Sequence, residues 1–183
     1  MRIISGEAKG RQVLYPPQFR ARPTTDKVKE ALFSILGPLH GDIFLDAYAG
    51  AGNVGIEALS RGAASAAFIE KDALLAQYVQ KNLLQCGFTN RSQILRTTVE
   101  KAVSLLYDQG ILFNIIFADP PYDEGLVSET VGHLTSVNII AEGGIVILQH
   151  SSREVEALAR TAGLKLFDQR KYGDTLLSFV KLS

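Results

Sequence analysis

From residue 42 onward the chain alternates short apolar runs with longer segments of helical period, and no other feature limits its fold so strongly. The apolar runs lie at 43–48 (IFLDAY), 66–70 (AAFIE), 92–96 (SQILR), 114–118 (NIIFA) and 144–149 (GIVILQ). Helices are predicted over 53–61, 72–86, 99–107, 124–135 and 152–161. Strands that are apolar throughout and separated by helices imply a parallel sheet covered on both faces. The last segment, "LKLFDQRKYGDTLLSFVKL" at 164–182, reads instead as two strands around a Gly173-Asp174 turn. The expected class is α/β, Rossmann-like: a mostly parallel sheet, helices on both faces and a C-terminal antiparallel hairpin.

The first forty residues stand outside that alternation. "RIISGEAKGRQVLYP" predicts two short strands, near Arg2–Ser5 and Arg11–Leu14, with a glycine-containing turn between them. A proline-bounded link leads to "TTDKVKEALFSIL", a helix with Thr24 or Thr25 as N-cap, stopped at Gly37-Pro38. Residues 1–40 are expected to form a small appendage, and 41–183 the main domain. Net charge is zero over 183 residues, yet this appendage carries seven basic against three acidic residues, +4, which the remaining chain offsets. A basic front on an acidic body points to contact with a polyanion. Its cations are Arg2, Lys9, Arg11, Arg20, Arg22, Lys27 and Lys29.

Composition, 46% hydrophobic and 21% charged, suits a soluble domain. One cysteine, Cys86, forms no internal disulfide. With neither a secretory segment nor an apolar run of spanning length, a cytoplasmic, monomeric protein is expected. His40, His133 and His150 show no metal-ligand spacing, and no metal is expected.

In "FLDAYAGAGNVGIEALSRG" Gly50, Gly52 and Gly55 match G-x-G-x-x-G, and Glu70 ends the next strand. Glycines admit close backbone approach, and the acid can accept from ribose hydroxyls. A nicotinamide dinucleotide satisfies that much. Asp46, four residues before Gly50, argues otherwise, because a carboxylate there repels a pyrophosphate and suits a ligand carrying an ammonium and a sulfonium. S-adenosylmethionine is such a ligand, and the chain leaves no residues for a dehydrogenase's substrate domain.

"NIIFADPPYDEG" ends a buried strand on Asp119, Pro120, Pro121 and Tyr122. Asp46, Glu70 and Asp119 each end a strand, and in a parallel sheet ligands bind outside those ends. The Tyr172–Asp174 turn reaches the same edge if its first strand runs parallel to its neighbours. Asp119 and the Pro120 carbonyl suit acceptance of two N–H bonds from a nucleobase amine, while rigid prolines keep them placed and Tyr122 offers a stacking face.

"RIISGEAKGR", "RPTTDKVKEALFSIL", "FLDAYAGAGNVGIEALSRGA", "DPPY" and "YGDT", in that order and over nearly the full length, resemble the bacterial guanine-N2 methyltransferases of small-subunit (16S) ribosomal RNA. The resemblance implies a class I fold with S-adenosylmethionine donating a methyl to a guanine N2. It implies cofactor contacts from Asp46, Gly50 and Gly52, a ribose contact from Glu70, and amine contacts from Asp119 to Tyr122. Tyr48 and Ala51 stand where the family pattern has Phe and Ser, and Tyr48 is counted with the cofactor residues. After the third strand, "RTTVEKA" lacks the family's adenine-binding acid, so Thr98 and Val99 take that place through backbone amides. Tyr172 joins the basic residues in the expected RNA contact, and a small-subunit particle is the implied partner. Two alternatives stand beside this reading: a methyltransferase acting on adenine N6 or another amine of DNA or RNA, and a non-catalytic nucleotide-binding assembly module.

Overall fold

The protein is described by a computed structural model over residues 1–18, 25–122, 125–154 and 163–182. It divides into two compact units, Met1–Thr98 and Val99–Ser183.

In the first unit, helix α1 (Asp26–Leu36) starts where the Thr25 hydroxyl accepts the Val28 amide at 3.3 Å. It stops at Gly37, whose φ of 73° turns the chain away. Strands β1 (Ile43–Asp46), β2 (Ser65–Ile69) and β3 (Ser92–Leu95) pair in parallel, β2 central. Helix α2 (Asn53–Ser60) connects the first two and α3 (Ala73–Cys86) the last two. Every residue of α2 is buried, the polar Asn53 and Glu57 included, so the helix has no solvent-facing side to mark its period. Helix α3 is capped by Asp72, which accepts the Leu74 and Leu75 amides, both at 2.9 Å. Gly55 explains the third glycine of the loop: a β-carbon there would lie 2.3 Å from the Phe68 ring on β2. Only a bare backbone lets this helix pack that close to the strand.

The two N-terminal strands reduce to a single antiparallel bridge, Arg2 to Gln12. Backbone bonds from the Ile3 amide to the Arg11 carbonyl and from the Val13 amide to the Met1 carbonyl flank the bridge, and beyond it the Ile4 and Ser5 amides donate to the Glu57 carboxylate, at 2.8 and 3.0 Å.

The second unit holds α4 (Val99–Asp108), β4 (Phe113–Ala118), α5 (Leu126–Ser136), β5 (Ile140–Ser151), β6 (Leu164–Tyr172) and β7 (Thr175–Leu182). Strands β4 and β5 are parallel, whereas β7 runs antiparallel to both β5 and β6. The β6–β7 turn is therefore placed at the carboxyl end of β5, with Ser151 opposite Thr175. Strand β5 extends to twelve residues, twice the apolar run visible in sequence, because Ile140 pairs with Phe113 across a register shift and His150 and Ser151 pair with β7. Of the helix expected over 152–161, Ser152–Glu154 form a 3₁₀ turn and the rest lies outside the described residues. No helix among the described residues is long and apolar enough to cross a membrane.

Candidate functional site

Strand β1 ends on Asp46, 1% exposed, and its carboxylate caps the glycine loop from beneath. Oδ2 accepts the Gly55 amide at 2.9 Å, and the Tyr48 amide is a second donor. Burial pushes this carboxyl up to about 7, helped by the nearby Glu70 charge and opposed by the two amides. Asp46 therefore fixes the loop through its hydrogen bonds to the Gly55 and Tyr48 amides.

Gly50 and Gly52 hold φ of 56° and 86°, values that side-chain-bearing residues rarely adopt. The reason expected for Gly52, space for a ligand, needs correction. A β-carbon there would point at Ile56 Cδ1, 3.0 Å away, and Val79 Cγ1, 3.4 Å away, which are core atoms. Glu70, just past β2, accepts the Gly50 amide at 2.9 Å and the Asp72 amide at 2.8 Å. Burial holds its carboxyl above the ordinary range. A carboxylate has about four lone-pair sites, so two bonds leave capacity for hydroxyl donors. Thr98 is exposed after β3; Val99 is buried and opens α4 in the second unit.

A buried carboxylate made costly by desolvation favours a cationic ligand and opposes a pyrophosphate. The residues present thus fit a ligand with ammonium, sulfonium and ribose groups.

In the second unit the register Ala118 to Leu148 brings Asp119 beside Gln149. Gln149, 4% exposed, donates from Nε2 to Asp119 Oδ2 at 2.8 Å and lies 3.2 Å from the Tyr122 hydroxyl. Burial raises the Tyr122 phenol, the Asp119 charge adds to that, and hydrogen bonds with Thr175 and Gln149 oppose it. Asp119, Tyr122, Gln149 and Thr175 form one connected set. Sequence pattern points to the Tyr122 ring, whereas its hydroxyl and the Gln149 amide enter the set only through the fold. A glutamine closing an otherwise apolar strand was the available signal. His150, its neighbour, points to the other side: Nδ1 lies 2.9 Å from the Ser151 carbonyl and Nε2 2.9 Å from Ser178 Oγ. It is a satisfied core histidine. Pro120 is buried, Pro121 exposed, and Tyr172 half-buried at the β6–β7 turn.

The basic residues of the front segment divide sharply. Lys29 is 0% exposed and faces Glu57, also 0% exposed, at 3.2 Å. Its Nζ donates to the Arg2 carbonyl at 2.7 Å and to Asn53 Oδ1 at 2.8 Å. Burial keeps any phosphate from it, so Lys29 does not belong with the RNA-binding residues expected from sequence. The apolar face of α1 carries it inward, and long aliphatic stems follow such faces. Lys9 and Lys27 are exposed; Arg2 is exposed with Asp26 3.9 Å away; Arg11, exposed, donates to the Gln85 carbonyl. Arg20 and Arg22 lie outside the described residues.

A parallel α/β fold with this glycine loop and a carboxylate–proline–tyrosine strand end defines a class I, S-adenosylmethionine-dependent methyltransferase. Residues 1–181 match the family model described as "Conserved hypothetical protein 95", and the chain belongs to that family. YlbH of Bacillus subtilis, named provisionally as an rRNA methyltransferase, is 36% identical over 99% of this chain and 98% of its own. Ribosomal RNA small subunit methyltransferase D of Escherichia coli K12 is 39% identical over 81% of this chain and 74% of its own. The solved structure of yhhF from Escherichia coli, titled provisionally a methyltransferase, has 31% identity and a TM-score of 0.84, covering 100% of this chain and 97% of that one.

Proposed function

We propose that this protein transfers a methyl group from S-adenosylmethionine to the exocyclic N2 amine of a guanine in small-subunit ribosomal RNA. The observation that carries the reading is the Asp119 carboxylate, held by Gln149 beside the rigid Pro120-Pro121 pair. The relatives named for ribosomal RNA support the substrate class.

When bound, the cofactor supplies an electrophilic methyl on a sulfonium. Asp46 contributes the compensating negative charge, Glu70 accepts from ribose hydroxyls, and the glycine loop admits the ligand backbone-close. Asp119 and the Pro120 carbonyl accept the two N–H bonds of the amine, which orients a poorly nucleophilic nitrogen whose lone pair is delocalised into the ring. Gln149 holds Asp119 in place and Tyr122 presents its ring to the base. Guanine shows an N1–H donor beside N2, so Asp119 can accept from both. Adenine shows an N1 acceptor beside N6, which would face a carboxylate lone pair.

Residues 1–40 are proposed to dock the RNA through Arg2, Lys9, Arg11, Arg20, Arg22 and Lys27, and Tyr172 of the second unit is proposed separately as an RNA contact. The test is product analysis: ribosomal RNA or small-subunit particles incubated with labelled cofactor, digested to nucleosides and weighed by mass spectrometry. N2-methylguanine is expected. N6-methyladenine would overturn the base, and no incorporation would support the assembly-module alternative.

A further inference from the structure

The N-terminal segment does more in this structure than present cations. Leu14 is clamped by Asn82 of α3, a residue 1% exposed: the Leu14 amide donates to Oδ1 at 2.8 Å, and Nδ2 donates to the Leu14 carbonyl at 2.9 Å. The same Nδ2 donates to the Ala51 carbonyl at 2.9 Å, inside the glycine loop. One buried amide thus ties the front segment and the loop to each other. Gln85, one turn further along α3, donates to the Gln12 carbonyl at 2.8 Å.

The residue after this clamp is Tyr15, half-buried. A β-carbon placed on Gly50 would lie 3.7 Å from its hydroxyl, so the phenol ends at the loop itself. Gly50 in turn donates its amide to Glu70, and the hydroxyl engages no hydrogen bond among the described residues.

We propose that Tyr15 is a cofactor-contacting residue, delivered to the glycine loop by the N-terminal segment, which donates its hydroxyl hydrogen to a ribose oxygen of the bound cofactor. The proposal rests on the reading that the first unit holds S-adenosylmethionine. The chemistry is complementary to Glu70, which can only accept, whereas a phenol can donate. Burial, then the charges of Glu70 and Asp72, hold the phenol pKa above its usual value, so Tyr15 stays a donor throughout the neutral range. The front segment is then part of the cofactor site as well as a docking surface, and ligand binding and segment seating favour each other.

Calorimetry with S-adenosylhomocysteine tests this on the full chain. Tyr15→Phe keeps the ring and should weaken binding roughly three- to tenfold, the loss of one hydrogen bond. The 2′-deoxy and 3′-deoxy analogues supply the control. On the analogue lacking the oxygen that Tyr15 reaches, wild type and Tyr15→Phe should bind equally. In wild type, the ligand should also slow hydrogen exchange at the amides of Val13 and Leu14. Equal affinity of both proteins for S-adenosylhomocysteine overturns the proposal, as does an equal penalty on all three ligands, which means packing alone. A wild-type chain that binds none of them overturns the cofactor reading itself, a distinguishable result.

Discussion

Gln149 and Asp119 are joined by a 2.8 Å hydrogen bond between residues thirty positions apart, from Nε2 to Oδ2. Neither stands out alone. Together they turn a strand-ending carboxylate into an acceptor with a defined direction. Asp119→Ala should abolish methyl transfer while cofactor binding survives, a barrier increase of about 2.7–4 kcal/mol by analogy with lost oxyanion donors. Gln149→Leu should cut kcat less, by roughly 1.5–3 kcal/mol, the range for hydrogen bonds to charged groups. Single-turnover kinetics with saturating cofactor decides; an unchanged rate in Gln149→Leu means the contact only supports the fold.

Lys29 and Glu57 predict a stability effect without an RNA effect. Glu57 also accepts from Arg61 Nε at 2.7 Å and from the two front-segment amides. Lys29→Ala leaves that buried carboxylate short of one counter-charge, which should cost on the order of 3–5 kcal/mol. Denaturant unfolding measures it. A variant as stable as wild type would mean that Arg61 alone balances Glu57.

The exposed cations behave in the reverse way. If Lys9 and Lys27 each meet a phosphate, changing both to Ala should flatten the slope of log affinity against log salt by about 1.4, at roughly 0.7 per single-strand contact. The melting temperature should stay put. An unaltered slope removes these two residues from the docking surface.

The glycines separate packing from ligand approach. Gly55→Ala drives a β-carbon into the Phe68 ring and should lower stability by about 1–3 kcal/mol, an overpacking cost. Gly52→Val adds an unfavourable φ of 86° to contact with Ile56, so it should lose stability and weaken cofactor binding together. Thermal unfolding and calorimetry on both variants check this. Unchanged affinity in a folded Gly52→Val chain would dissociate the loop from the cofactor.

Asp46 gives the pH dependence. Its carboxyl is raised to about 7 in the folded chain from 3.8. Between those values the folded state keeps a proton that the unfolded state has lost. Its stabilising contribution is therefore complete below about pH 4 and lost as pH rises through about 7. Asp46→Asn should remove that portion of the pH slope, as measured by urea unfolding across pH 4–8. A cationic ligand should favour the ionised form, so binding at pH 6.5 should release protons and binding at pH 8.5 almost none. Calorimetry in buffers of different ionisation enthalpy reads the difference.

The alternation of strands and helices, the glycine loop and the strand-ending carboxylates were all legible from residue 42 onward, because each is written in a local period. The place of the Tyr172–Asp174 turn hung on a condition, a first strand parallel to its neighbours; β6 pairs antiparallel with β7, and it is β7 running antiparallel to β5 that puts the turn at the carboxyl end of β5. What local pattern could not decide was the fate of individual polar residues. Lys29 looks like any exposed lysine in a charged helix, yet its partner is Glu57 on α2 and its burial depends on that distant carboxylate. Gln149 and His150 are adjacent and equally polar; pleating sends them to opposite sides, and the register of β5 against β4 and β7 chooses which one meets Asp119. Tyr15 carries no signal in its neighbours, since its position at Gly50 is set by Asn82. Period and turn chemistry act over a few residues, so sequence alone determines the elements and their order. Hydrogen bonds and ion pairs between elements form only when the folded chain desolvates both partners at once, and that is what the tertiary structure decided.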